Sequence, residues 1–171
     1  MLSLILLLAP TLGNFQSISP TPTDIKAVSS YVQTIEAEDC QITRLRSFDI
    51  MQLEGNKLNK LIYLQTKSIL KDSRAAGNKM QLNSTFRSCS EQTYLRSINC
   101  PASSLPAESC SPPTEKPGES LHNYGMAIDF GCDGYAIFST SPCYTWLKDN
   151  ANKYKFVQRD KEPWHWSLTG K

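Results

Sequence analysis

Six cysteines, at positions 40, 89, 100, 110, 132 and 143, run through the chain with no CxxC pair and no Cys-His cluster among them. Structural zinc fingers draw their ligands from such pairs, so this spacing points to disulfides instead. Each bridge forces two stretches of chain together, which constrains the fold more than any feature of composition. Bridges persist in oxidising compartments, so the chain is expected to be exported, to the cell envelope, the periplasm or the extracellular space. Fifteen pairings are open to six cysteines. Short loops favour Cys100 with Cys110 and Cys132 with Cys143 as local staples, leaving Cys40 for Cys89.

The 171 residues have room for one domain with a true core, and 40% hydrophobic with 20% charged residues is ordinary for a globular protein. Eighteen basic and sixteen acidic residues are interspersed, for a net charge of +2 and no basic stripe, which speaks against a nucleic-acid partner. Residues 1–13 hold an apolar run from Leu2 to Ala9 followed by Pro10, a signal-like leader without a basic start. That run is too short to span a bilayer, yet it offers a membrane tether. Residues 14–23, with Pro20 and Pro22, read as a linker.

Beyond the linker, residues 24–55 form an expected amino-terminal helical extension, with Ile25, Val28, Val32 and Ile35 at helical spacing. A second helix is expected behind Asn56, carrying Leu58, Leu61, Ile62, Ile69 and Leu70 and stopping near Gly77. Met80 to Phe86 alternates as a half-buried strand does. Ser88 and Glu91 then make a capping box for a short helix, which leaves Arg87 at the strand end. Residues 100–119 are a surface loop rich in Pro, Ser and Glu. Tyr124 to Phe130 reads as a strand with Met126, Ile128 and Phe130 on one face and Ala127 and Asp129 on the other. Ser141 and Pro142 open another helix, and Phe156, Val157, Trp164 and Trp166 suggest a closing hairpin. The pattern predicts an α+β fold, a small mainly antiparallel sheet with helices packed on one face, over a single domain at residues 56–171.

Only two histidines are present, His122 in SLHNYGMAIDFG and His165 in EPWHWS. A catalytic zinc site takes three protein ligands and keeps one position open. His122, Asp129 and His165 supply that count, with Gly125 letting the backbone turn between the first two. Glu162, three residues before His165 and stiffened by Pro163, suits another task. Zinc lowers the pKa of a bound water toward about 7, and a carboxylate must still take its proton and pass it to the leaving amine.

These residues resemble a known family. Ser120, His122, Gly125, Ala127 and Asp129 meet the pattern SxHxxGxAxD, and Glu162 to Trp166 meet EPWHW in full. FRS at 86–88, Gln92, and YTWLKDNANKYKF from Tyr144 to Phe156 add to the match, which covers roughly residues 56–167. The chain is similar to the VanY-like D,D-carboxypeptidases, zinc enzymes that trim the D-Ala-D-Ala end of peptidoglycan stem peptides.

The resemblance implies a single zinc-peptidase domain with Zn2+ held by His122, Asp129 and His165, and Glu162 as catalytic base. Arg87 matches the family arginine that reaches the site. It would stabilise the oxyanion or hold a substrate carboxylate. Ser120, Gln92 and Trp164 are implied contacts to a stem peptide ending in D-Ala, bound by a monomer. An L,D-carboxypeptidase or a phage-type endopeptidase uses the same metal apparatus, and a non-catalytic zinc-containing wall-binding module is a further alternative. The chain departs from relatives in its six cysteines and in Lys155, which stands where they usually carry Gly and must hold a left-handed backbone or reshape the turn.

Overall fold

Glu54 and Gly55 both take positive φ, 51° and 79°, the backbone of a two-residue hairpin turn whose twist suits the strands on either side. The computed structural model, which describes residues 49–171, accordingly opens with strand β1 (Ile50–Leu53) antiparallel to β2 (Asn56–Asn59). This corrects two expectations, a helical extension reaching residue 55 and a helix directly behind Asn56. The turn closes a ladder before any helix can begin. Asn59 then caps helix α1 (Lys60–Ala75) by accepting from the Leu61 N–H, so Leu58 enters the core from a strand. Helix α1 stops at the foreseen place, with Gly77 at φ 87°. The leader, the linker, the expected helix from Ile25 to Ile35 and Cys40 lie outside the described residues.

The chain continues through β3 (Met80–Ser84), α2 (Cys89–Asn99), β4 (Ala127–Cys132), β5 (Tyr135–Ala136), α3 (Pro142–Asn150), β6 (Val157–Gln158) and β7 (His165–Ser167). The strand expected from Tyr124 starts at Ala127, because Leu121–Tyr124 coils into a 3-10 turn ended by Gly125. The main sheet runs β3-β4-β7-β6, with β5 also on β4, and every pairing is antiparallel. The fold is α+β. Among the described residues, no helix is long and apolar enough to cross a membrane.

Strand alternation sorts β4. Ile128 and Phe130 point into a core shared with Ile62, Ile69 and Leu70 of α1, Leu147 of α3, and Trp166 of β7. Each fully buried aliphatic or aromatic side chain contributes about 1.5–3 kcal/mol by leaving water. Asp129 takes the opposite face, where it lines a cleft together with Gln92 of α2. The Ser88 capping box is formed in both directions, the hydroxyl accepting from the Glu91 N–H and Glu91 accepting from the Ser88 N–H. Cys100–Cys110 and Cys132–Cys143 are bridged as expected, and Cys89 is disulfide-bonded. Lys155 holds the left-handed conformation at φ 66° that the missing glycine demanded.

Candidate metal centre

Two of the three expected ligands are placed by sheet register. Asp129 on β4 and His165 on β7 are direct partners in the antiparallel ladder, and paired residues project from the same face. The third, His122, arrives from the 3-10 turn before β4. Gly125 ends that turn at φ 62° with its carbonyl 2.8 Å from the Asn59 N–H. A Cβ there would sit 2.9 Å from the same nitrogen, so the close approach that seats His122 requires glycine.

The three side chains converge. His122 Nδ1 lies 2.6 Å from the Thr85 carbonyl and His165 Nε2 lies 2.9 Å from the Lys171 main-chain oxygen. A carbonyl only accepts, so each of these ring nitrogens carries a proton and donates it. The other two nitrogens, His122 Nε2 and His165 Nδ1, turn toward one another at 3.2 Å, and Asp129 Oδ1 stands 3.2 Å and 3.0 Å from them. With neutral imidazoles, three lone-pair bearers then meet with no proton between them, an arrangement that calls for a cation. Burial pushes the His122 imidazole down from its ordinary pKa, against the pull of Asp129, which keeps it neutral.

The donor set fits zinc. Bonds of about 2.0–2.1 Å in a tetrahedron separate ligand atoms by roughly 3.3 Å, close to the spacing found here. The Thr85 carbonyl orients the His122 ring as an outer partner of a metal-bound histidine does.

Around the three ligands lies a cleft of about 170 Å³, more than ten times the space one water needs, which Arg87, Gln92, Ser120, Arg159, Glu162 and Trp164 help to line. Glu162 is 5% exposed, and its Oε1 is buried without a hydrogen-bond partner among the described residues. Burial pushes this carboxyl above its ordinary pKa, opposed by the charge of Arg159. Arg87 is fixed on three sides, donating to Gln92 Oε1 at 2.8 Å, to Ser84 Oγ at 3.1 Å and to Asp129 Oδ2 at 3.4 Å. The Gln92 amide group in turn donates to the Glu115 carbonyl at 2.7 Å, so both ends of this side chain are engaged. Ser120 caps the 3-10 turn by accepting from the His122 N–H at 3.3 Å. Half-buried Trp164 forms a wall, its carbonyl accepting from the Phe130 N–H.

The site residues expected from the sequence, Arg87, Gln92, Ser120, His122, Asp129, Glu162, Trp164 and His165, therefore border one cleft. Sequence reasoning did not find Thr85 or Lys171, which act through backbone oxygens and leave no side-chain signal. It also passed over Glu115 and Arg159. Arg159 stands three residues before Glu162, a spacing that could have drawn attention to it.

Comparison with known proteins supports this fold. A family model described as VanY, D-alanyl-D-alanine carboxypeptidase, matches residues 55–171. A curated D-alanyl-D-alanine carboxypeptidase of Enterococcus faecalis is 38% identical over a stretch covering 32% of this chain, and the chain spans 24% of that relative. The vancomycin resistance D,D-pentapeptidase VanY from a VanB-type cassette, solved as a mutant in complex with Zn(II), is 26% identical with a TM-score of 0.56, covering 69% of this chain and 76% of its own. VanYB in complex with D-alanine-D-alanine shares the fold at 24% identity and a TM-score of 0.57, covering 69% and 75%. Since the family model matches well over half of the residues, and the folds coincide, the chain belongs to the VanY D-alanyl-D-alanine carboxypeptidase family.

Proposed function

We propose that this chain is a zinc D,D-carboxypeptidase that removes the terminal D-Ala from peptidoglycan stem peptides, with the metal on His122, Asp129 and His165 and Glu162 as general base. The observation that carries the reading is the meeting of three unprotonated donor atoms in one cleft beside a buried carboxylate oxygen with no hydrogen-bond partner among the described residues. Zinc held there would polarise the scissile carbonyl and make a water acidic near neutral pH.

The protein's own groups do the rest. Glu162 takes the proton of the attacking water and returns it to the departing amine, a task for which its burial is suited. Arg87, anchored by Ser84 and Gln92, turns a fixed cation toward the carboxylate of the leaving D-Ala or the developing oxyanion. Ser120 offers its hydroxyl proton, which has no acceptor among the described residues, to the same end of the peptide. Trp164 limits the space for the small methyl side chain. The two bridges among described cysteines support an oxidising, extracytoplasmic site of action, and we place the monomer there.

Glu162→Gln tests the assignment. Metal content by elemental analysis should stay near one zinc per chain, while D-Ala release from a peptide ending in D-Ala-D-Ala falls by about 10²–10⁴-fold. Full activity in that variant contradicts the role. Release of D-Ala only from a peptide ending in L-Lys-D-Ala would move the specificity to the L,D class.

A further inference from the structure

Glu115 stands on the irregular loop between α2 and β4, half-buried, and nothing in its own sequence neighbourhood marks it for a role. It nevertheless touches both arms of the cleft. Its main-chain carbonyl accepts from the Gln92 amide, and Gln92 holds the Arg87 guanidinium. Its carboxylate accepts from Arg159 Nη2 at 2.9 Å, and Arg159 Nε is 3.0 Å from Glu162 Oε1. One edge of a planar guanidinium thus bridges two carboxylates, 30% and 7% exposed, through a side chain that is itself 16% exposed.

That Arg159–Glu162 contact is an ion pair and not a directed hydrogen bond, since the Glu162 oxygen has no hydrogen-bond partner. The distinction matters. A directed bond would take up one lone pair of that oxygen, whereas a cation beside the carboxylate restrains its position and leaves Oε1 free to accept. Arg159 is in turn restrained from behind by Glu115, and the main chain of Glu115 is held near α2 by the Cys100–Cys110 bridge and by buried Arg96. Arg96 donates to the carbonyls of Ser103, Leu105 and Thr114, the last adjacent to Glu115.

Resting on the reading of Glu162 as the base, we propose that Arg159 and Glu115 are positioning residues of this site. Arg159 holds the Glu162 carboxylate in its working orientation, and Glu115 locks Arg159 through its side chain while locking Gln92 and Arg87 through its backbone. Misplacing a reacting group by about 1 Å costs on the order of 10²-fold in rate, which sets the scale of the effect.

The test uses the zinc-loaded full chain with Arg159→Met, Arg159→Lys and Glu115→Gln. Arg159→Met is expected to keep its zinc and to lose about 10–10²-fold in kcat with KM within roughly threefold, and Arg159→Lys to recover part of the loss. Glu115→Gln keeps the backbone limb, so it should lose less than Arg159→Met and, combined with it, add nothing further. Crystal structures of the zinc-loaded variants give a second readout, in which the Glu162 carboxylate is expected to have rotated away from its wild-type place. An unmoved Glu162 with wild-type kcat in both Arg159→Met and Glu115→Gln overturns the proposal. If the wild-type protein releases no D-Ala, the substrate reading fails by itself, and the orientation of Glu162 in the variants still decides this one.

Discussion

Asp129 and His165 face each other across a backbone ladder, whereas Glu115, which steadies the opposite wall of the same cleft, stands on a loop with no ladder at all. The first region takes its geometry from sheet register, backed by Ile128 and Trp166 in the core. The second region, residues 100–119, contains one three-residue 3-10 turn (Ala107–Ser109) and is shaped by a disulfide and by side chains that reach backbone carbonyls. Ladder hydrogen bonds in a packed sheet open only with the whole domain, while side-chain ties on a surface loop loosen locally. The placing of Asp129 and His165 is therefore coupled to the stability of the sheet, and the placing of Arg87 and of the proposed base Glu162 to a softer part of the molecule.

Removing a ligand attacks the rigid region and should have the largest effect. Asp129→Ala is expected to weaken zinc binding by more than about 100-fold and to abolish D-Ala release, leaving two imidazoles that cannot hold the ion alone. Zinc content after dialysis and a peptide-release assay measure both, and retention of one zinc per chain would break the division drawn above.

Opening the soft region should do something different. Cys100→Ser with Cys110→Ser removes a loop constraint valued at about 3 kcal/mol. Denaturant unfolding should show a stability loss of that order or less, and zinc content should remain near one per chain. The value of kcat should fall, because Glu115 is freed from α2. Simultaneous loss of metal would mean that the two regions are not separable.

The smallest effect is expected away from both. Lys155 holds left-handed backbone at the end of the 3-10 turn that follows α3 (Ala151–Tyr154). Lys155→Gly should stabilise the fold by about 1 kcal/mol, seen as a modest rise in Tm, with kcat and zinc content unchanged. A change in activity would tie that turn to the site.

Two of the three proposed ligands, Asp129 and His165, were legible for the same reason that they are rigid. Strand alternation put Asp129 opposite Phe130, and the closing hairpin brought the last imidazole to it, both following from a period of two. The Ser88 capping box, the two local bridges and the left-handed Lys155 were readable because each is a local rule of backbone chemistry. Glu54-Gly55 was not read as a hairpin, since Glu is seldom found at a left-handed turn position and the apolar residues behind Asn56 fall at helical spacing as well. Arg159 and Glu115 were missed because their partners lie across the fold, where no periodicity records them. Gln92 was assigned to the substrate, and its side chain is instead engaged at both ends by Arg87 and Glu115. In the proposed mechanism its contribution runs through Arg87.

The central claim is that His122 Nε2, His165 Nδ1 and Asp129 Oδ1 close on a single zinc ion. X-ray absorption at the zinc edge of the purified, zinc-loaded protein tests it most directly. The account predicts one zinc per chain with two imidazole nitrogens and carboxylate oxygen at about 2.0–2.2 Å and no sulfur. A zinc-sulfur shell at about 2.3 Å, or a protein that binds no zinc, contradicts it.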